Sequence, residues 1–155
     1  MHFKLISLDI FQTLVDVTSI QEKIWRIFLN GKYSSERAKA GWNFATKRIL
    51  DYFSRELVEK TEFETVKSVF SKCYYEVFLK FNIDFDHQKA AEILINYHNH
   101  AIPYSDADIF MNYIEDKYTY IISSDADNDM ISGIKYLKKS DKIFTSENLK
   151  CYKII

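Results

Sequence analysis

The chain has few cysteines, which are typical of secreted proteins, and few glycines and prolines, which are typical of flexible linkers. Its 155 residues include three glycines, one proline and two cysteines. Cys73 and Cys151 are far apart and form no CxxC pair, so we expect free thiols in a reducing, cytoplasmic environment. No stretch rich in Gly and Ser marks a flexible linker.

A dominant charge and a long hydrophobic run are also missing. With 21 Lys+Arg against 22 Asp+Glu, the net charge is -1, which supplies no positive field for nucleic acid or an anionic membrane. The first apolar stretch, Leu5 to Leu8, stops at Asp9 and is far shorter than the ~20 residues of a membrane span. We therefore expect neither nucleic acid nor membrane as a partner, and neither export nor membrane insertion.

The residues that are abundant indicate a globular α/β protein. Hydrophobic residues make up 47% of the chain and aromatic residues 16%, enough for a substantial core. Three short apolar or β-branched runs predict strands at Phe3 to Leu8, Tyr118 to Ser123 and Lys142 to Thr145. Because helical patterns separate them, the strands are predicted to form a parallel sheet.

Residues 18–100 show helical spacing of apolar side chains and no alternation with period two. We expect four helices here, the first ending at Gly31 and the last running from about residue 86 to 98. Thr61 and Glu64 have the spacing of a capping box at the start of the third helix. The pattern predicts an all-helical block inserted after the first strand.

Polar side chains follow each predicted strand. Asp9 comes after the first strand, Ser123-Ser124-Asp125 after the second, and Lys153 lies beyond the third. Ligands of an open parallel sheet bind at these carboxyl ends, where a carboxylate can attack, a hydroxyl can hold an oxygen and an ammonium can offset charge. The same residue types also occur in turns and on solvated surfaces, so position alone leaves both readings open.

Three motifs in order are similar to those of the haloacid dehalogenase-like (HAD) superfamily. Leu8 to Val17 resembles the first motif, in which an Asp nucleophile, here Asp9, is followed four residues later by Thr and then by Leu. Ile121 to Asp125 resembles the second motif, aligned at Ser124, and Phe144 to Lys153 resembles the third, whose functional residue is a Lys. The helical block lies where some members carry a helical cap.

The resemblance implies an α/β fold with a Rossmann-like parallel sheet and an inserted all-helical cap. Residues 1–17 and 101–155 would form the core, and residues 18–100 the cap. The sheet is expected to be incomplete, because the chain ends before the acidic fourth motif of the family could occur. We expect either a truncated chain or a homodimer that covers the exposed sheet edge.

The same resemblance implies a hydrolase acting on a small anionic substrate, either a phosphate ester or a 2-haloacid. Asp9 would be the nucleophile and form a covalent intermediate that water hydrolyses. Ser124 would orient the transferring group, and Lys153 would stabilise charge. The rival interpretation is a catalytically incomplete protein that serves as a binding or dimerising domain.

Five further residues are predicted to bind substrate: Phe11, Thr13, Arg37, Ser123 and Asp125. Phe11 occupies the position where phosphatases of the family carry a second Asp. A phenyl ring cannot transfer a proton, and this favours dehalogenation, since a halide leaving group needs no proton. Arg37, from the early cap, is the candidate for holding the halide or the substrate carboxylate.

A metal is expected in only one of the two reactions. A phosphatase of this family would use Mg²⁺, for which this sequence offers Asp9 and the carbonyl group of Phe11, a weak site for a cation that prefers six oxygen ligands. A dehalogenase would need no metal.

Overall fold

The computed structural model of the protein describes residues 5–153. The chain divides into an α/β unit, from Met1–Val17 and Tyr97–Ile155, and a helical unit, Thr18–Asn96. The predicted fold class is confirmed, because a parallel sheet is interrupted after its first strand by a segment that is helical wherever it is regular. None of the helices described has the length and apolar content to cross a bilayer.

The elements follow one another in an order that separates the sheet strands by helices. In chain order they are β1 (Leu5–Leu8), β2 (Val15–Asp16), α1 (Gln21–Leu29), α2 (Ser35–Asp51), α3 (Val66–Phe81), α4 (His87–Asn99), β3 (Ile102–Pro103), α5 (Ala107–Glu115), β4 (Thr119–Ser124), α6 (Asn128–Ile131), β5 (Lys142–Thr145) and α7 (Ser146–Leu149). A π-helical turn, Tyr52–Glu56, follows α2. The first two residues of the predicted opening strand, Phe3 and Lys4, lie outside the described residues.

The main sheet has three parallel strands in the order β1, β4, β5. Leu8 lies beside Ile122, and Ser124 lies beside Thr145. Residues of the central strand β4 are alternately buried, because successive side chains point to opposite faces of the sheet. The strands share one direction, so the residues that follow β1, β4 and β5 meet at the same edge.

A second, two-stranded sheet was missed by the sequence prediction. β2 and β3 pair antiparallel, with Val15 opposite Pro103 and Asp16 opposite Ile102. Pro103, the single proline of the sequence, thus lies in a strand. Strands of two residues are too short to show any periodicity, so no sequence pattern marks them.

The helical unit has an aromatic core. The ring of Phe28 contacts the rings of Trp25, Tyr74 and Phe78 at centroid distances of 5.4 to 5.8 Å. These contacts are edge-to-face, the geometry that aromatic quadrupoles favour. Gly41 in α2 lies directly against the indole of Trp25, where a Cβ atom would overlap the ring.

Two predicted helix ends in this unit are wrong. α3 begins after Thr65, whose hydroxyl accepts from the amide of Ser68 at 3.2 Å, rather than at the Thr61 and Glu64 capping box. The carboxylate of Glu64 is instead bound by nearby lysines, which local spacing does not reveal. The first helix ends at Leu29, and the residue with positive φ after it is Asn30, not the predicted Gly31.

Candidate active site

The loop after β1 folds back on itself and sets the position of Asp9. The carbonyl of Ile10 accepts hydrogen bonds from the amides of Leu14 at 2.8 Å and Val15 at 3.1 Å. Gln12 in the middle of the loop has a φ of 59°, in the left-handed region. Because Ile10 is completely buried, the loop is anchored in the core immediately after Asp9.

The carboxylate of Asp9 is bound by three donors. Its Oδ1 accepts from the amide of Ile10 at 2.8 Å and from the hydroxyl of Ser124 at 2.7 Å. Its Oδ2 lies 3.2 Å from Nζ of Lys153. Both side chains of this ion pair are 41% exposed, so the pair contributes on the order of 1 kcal/mol or less to stability. Its main consequence is to orient and neutralise the carboxylate.

The structure thus brings together the three residues assigned to catalysis from the sequence. Ser124 is the last residue of β4 and is 3% exposed. Its hydroxyl proton points to Asp9, which differs from the substrate-orienting role that the resemblance implies. The convergence follows from the sheet, since β1 and β4 are neighbours and run in the same direction.

Ser123 and Asp125, assigned to substrate binding from the sequence, contact Lys153. The carboxylate of Asp125 accepts from the backbone amide of Lys153 at 2.9 Å, and the carbonyl of Ser123 accepts from its Nζ at 3.1 Å. These two bonds hold the end of the described chain beside β4. In this structure both residues position the lysine.

Buried polar residues behind the site were not singled out from the sequence. Thr145 is 1% exposed, donates to Oδ1 of Asn128 at 2.8 Å and accepts from the amide of Asn148 at 3.0 Å. Ser146 donates to the carbonyl of Ala126 at 3.1 Å. The bonds of Thr145 to Asn128 and of Ser146 to Ala126 join the end of β5 to the segment that follows Ser124. The chain continues from β5 to Lys153. A Thr at the end of a predicted strand is a preferred helix N-cap residue, and this preference could have revealed Thr145.

Phe11 and Thr13 lie in the same loop as Asp9. The ring of Phe11 makes an edge-to-face contact with the imidazole of His98, with centroids 5.0 Å apart. Thr13 is exposed on the loop. The loop therefore carries an aromatic ring, Phe11, and a hydroxyl group, Thr13, within four residues of the Asp9 carboxylate in the sequence.

Arg37 belongs to the helical unit and binds the end of a helix. Its Nη2 donates to the carbonyl of Phe81 at 2.6 Å and to that of Asn82 at 3.2 Å. Carbonyl groups at a helix C-terminus have no partner within the helix and attract cations. The guanidinium thus caps α3, and its assignment to substrate stays a prediction.

The described residues do not fit a magnesium ion. Within residues 5–153 no three Asp, Glu, His or Cys side chains lie close enough together to hold a metal. The carboxylate of Asp9 is already bound by an amide, a hydroxyl and an ammonium group. Phe11 adds only a backbone carbonyl, far from the six oxygens that Mg²⁺ prefers.

Comparison with known proteins identifies the fold. No protein-family model and no curated protein matches the sequence. Solved structures do match: the L-2-haloacid dehalogenase of Xanthobacter autotrophicus has a TM-score of 0.75 at 18% identity, over 98% of this chain and 60% of that one. A defluorinating L-2-haloacid dehalogenase has a TM-score of 0.78 at 18% identity, over 97% and 63%.

A third solved structure comes from Bacillus subtilis. YfnB, described as a HAD-hydrolase bound to magnesium, has a TM-score of 0.76 at 9% identity, over 99% of this chain and 68% of that one. The chain described here therefore has the fold of the haloacid dehalogenase-like hydrolases. It spans 60 to 68% of the length of these three proteins.

Proposed function

We propose that the chain is a hydrolase of the HAD superfamily that acts on a small anionic substrate with Asp9 as its nucleophile. One observation carries the proposal: the Asp9 carboxylate contacts both the Ser124 hydroxyl and the Lys153 ammonium at the carboxyl ends of two neighbouring parallel strands. Ligands of open α/β sheets bind at such an edge. We assign the protein to the cytoplasm, in line with its two free cysteines.

The contacts of Asp9 indicate which oxygen attacks. Within the part of the chain that the structure describes, two short hydrogen bonds engage Oδ1, whereas Oδ2 has one longer contact, to Lys153. Oδ2 attacks the substrate carbon or phosphorus, and the leaving group departs with the electron pair of the broken bond. Water then attacks the aspartyl ester or acyl phosphate and restores the carboxylate. Lys153 offsets negative charge in both steps.

A 2-haloacid is the substrate class that the loop favours. Phe11 supplies no proton, and a halide leaves without one, whereas an alkoxide leaving group gains ~100- to 10,000-fold from general acid catalysis. Two of the three solved structures compared above are named as L-2-haloacid dehalogenases. Hydrolysis of a phosphate ester in this superfamily would call for Mg²⁺, and among the described residues Asp9 and the Phe11 carbonyl alone do not fit that ion.

Replacement of the nucleophile tests the proposal. We expect Asp9→Asn to lower turnover of 2-chloropropionate, or of p-nitrophenyl phosphate, by about 1,000-fold or more, because the amide is a poor nucleophile. The matched control is Asp106→Asn, which changes an exposed carboxylate of the same unit. Activity that survives Asp9→Asn would rule out the nucleophile.

A single turnover in ¹⁸O-labelled water adds a chemical readout. With a 2-haloacid, attack of water on the carbonyl carbon of the aspartyl ester leaves one ¹⁸O atom in the Asp9 carboxylate, so the tryptic peptide with Asp9 gains about 2 Da. With this substrate, label found in the hydroxyacid product alone would indicate direct attack of water on the substrate.

A binding or dimerising domain is the second candidate, and the sheet edge favours it. Among residues 5–153, β1 pairs on one side only, with β4, and Leu5 at its start is 52% exposed. Unpaired strand edges are surfaces on which other chains add strands. A stable homodimer in solution together with turnover unaffected by Asp9→Asn would support this function over the first.

A further inference from the structure

We infer that Tyr104 is a positioning residue that holds the Asp9 loop in its left-handed turn at Gln12. The predicted effect of Tyr104 on turnover rests on the proposed function, whereas its predicted effect on the loop does not. Tyr104 follows β3, about 90 residues after the loop, at a position that no catalytic motif of the sequence includes.

The turn at Gln12 needs outside support. Its φ of 59° brings the Cβ atom of an L-residue close to its neighbouring carbonyl oxygen, a conformation that glycine and asparagine adopt most readily. The Gln12 amide donates to the carbonyl of Val15 at 2.9 Å, and this bond leaves the Gln12 side chain unrestrained. Residues in such conformations persist where surrounding structure holds them, often at functional sites.

Tyr104 supplies that support at two points. Its hydroxyl donates to Oε1 of Gln12 at 2.8 Å, and its backbone amide donates to the carbonyl of Leu14 at 3.1 Å. The pairing of Pro103 with Val15 fixes where Tyr104 lies along the loop. The phenol is thus held in register beside Gln12 and clamps its side chain.

The conformation of Gln12 determines the geometry of the residues on either side of it. Asp9 precedes it by three residues, and the amides of Thr13, Leu14 and Val15 after it all donate to the carbonyl of Ile10. If Gln12 leaves the left-handed region, these amides can no longer converge on Ile10. Asp9 and Thr13 would then shift, and shifts of about 1 Å in a catalytic group can lower rates by up to about 100-fold.

Amide hydrogen exchange tests the clamp without reference to activity. We expect Tyr104→Phe to speed exchange at Leu14 and Val15 by about 5-fold, the effect of losing one hydrogen bond of ~1 kcal/mol. Tyr113→Phe is the matched control, because Tyr113 is exposed on α5 and its ring contacts Lys117. Equal exchange in Tyr104→Phe and Tyr113→Phe would overturn the inference.

Substitutions at Gln12 separate the side-chain bond from the backbone conformation. Gln12→Ala removes the bond and keeps the unfavourable conformation, so exchange should rise more than in Gln12→Gly, which adopts positive φ without steric cost. In the Gln12→Gly background, adding Tyr104→Phe should change exchange by less than about 2-fold, because the hydroxyl has lost its partner. An undiminished effect of Tyr104→Phe in that background would show that the phenol does not act through Gln12.

Turnover tests the consequence for catalysis. Tyr104→Phe should lower kcat by about 10-fold with KM changed less than 2-fold, since orientation of Asp9 is lost rather than binding. Gln12→Gly/Tyr104→Phe should match Gln12→Gly. Faster exchange with unchanged kcat would overturn the positioning role. Absence of Asp9-dependent turnover in the unmodified chain would instead refute the proposed function, and the exchange data would still decide the clamp.

Discussion

The two units of the chain bury different kinds of side chain. Within residues 5–153, the buried polar or charged residues that are not aromatic all belong to the α/β unit, close to the ends of β4 and β5: Ser124, Asp127, Thr145 and Ser146. The core of the helical unit is aliphatic and aromatic. Burying a polar group costs free energy unless it is hydrogen-bonded. Ser124, Thr145 and Ser146 are all hydrogen-bonded, and the clustering of these buried polar residues at the strand ends marks the candidate site.

Charged residues in the helical unit are paired near its surface. Arg48 binds both Glu56 and Glu76, and Glu64 binds both Lys60 and Lys72. Each pair includes at least one side chain that is a third or more exposed. The helical unit thus combines an apolar core with ion pairs at its surface, and substitutions in each unit test this difference.

The largest effect is expected where the helical core is tightest. Gly41→Ala should lower the free energy of unfolding by about 3 kcal/mol, because the new methyl group overlaps the buried Trp25 ring. Gly31→Ala is the control, with no atom within 4 Å of its added Cβ, and should be neutral or slightly stabilising. Urea unfolding measures the free energy of unfolding of both variants. Equal values would mean that the helical core rearranges to accommodate the methyl group and is not tightly packed at Gly41.

A pH-dependent effect of intermediate size is expected at Glu64. Burial alone would raise the pKa of this carboxyl group, but hydrogen bonds from Lys60, Lys72, Ser68 and Tyr52 outweigh it and lower the pKa to about 2. A lowered folded-state pKa adds stability above the unfolded-state value, and this is lost as the pH falls toward the folded value. The loss amounts to at most about 3 kcal/mol between pH 5 and pH 2.

Glu64→Gln should flatten that part of the stability curve, with urea midpoints measured from pH 5 down to the lowest pH at which the protein stays soluble. The exposed neighbour Glu62 supplies the control, as Glu62→Gln should leave the slope of the unmodified protein. A slope that persists in Glu64→Gln would assign the acid sensitivity to other carboxylates.

The smallest effect on stability, with a larger one on function, is expected in the α/β unit. Ser124→Ala removes one hydrogen bond to a carboxylate that is 41% exposed and can recruit water, so stability should fall by about 1 kcal/mol or less. Turnover should fall about 10- to 100-fold as Asp9 loses a fixed orientation. Ser105→Ala, an exposed serine of the same unit, is the control; a stability loss without a turnover loss would make Ser124 structural.

Local sequence predicted the elements that have a strong pattern. β5 has the predicted bounds, and β4 differs from its prediction by one residue at each end. Helix ends were predicted less well, because several residues compete for one role. Thr65 rather than Thr61 caps α3. Glu64, which was expected to complete the capping box, forms ion pairs with Lys60 and Lys72 instead.

The positions of Asp9, Ser124 and Lys153 after strands can be predicted from local sequence, since apolar runs and the polar residues that end them are local features. The partner of each group depends on how the chain folds: Ser124 donates to Asp9, Arg37 binds the end of α3, and Tyr104 holds Gln12. Hydrogen-bond geometry depends on a few tenths of an ångström between residues distant in the chain, and no sequence pattern encodes such distances.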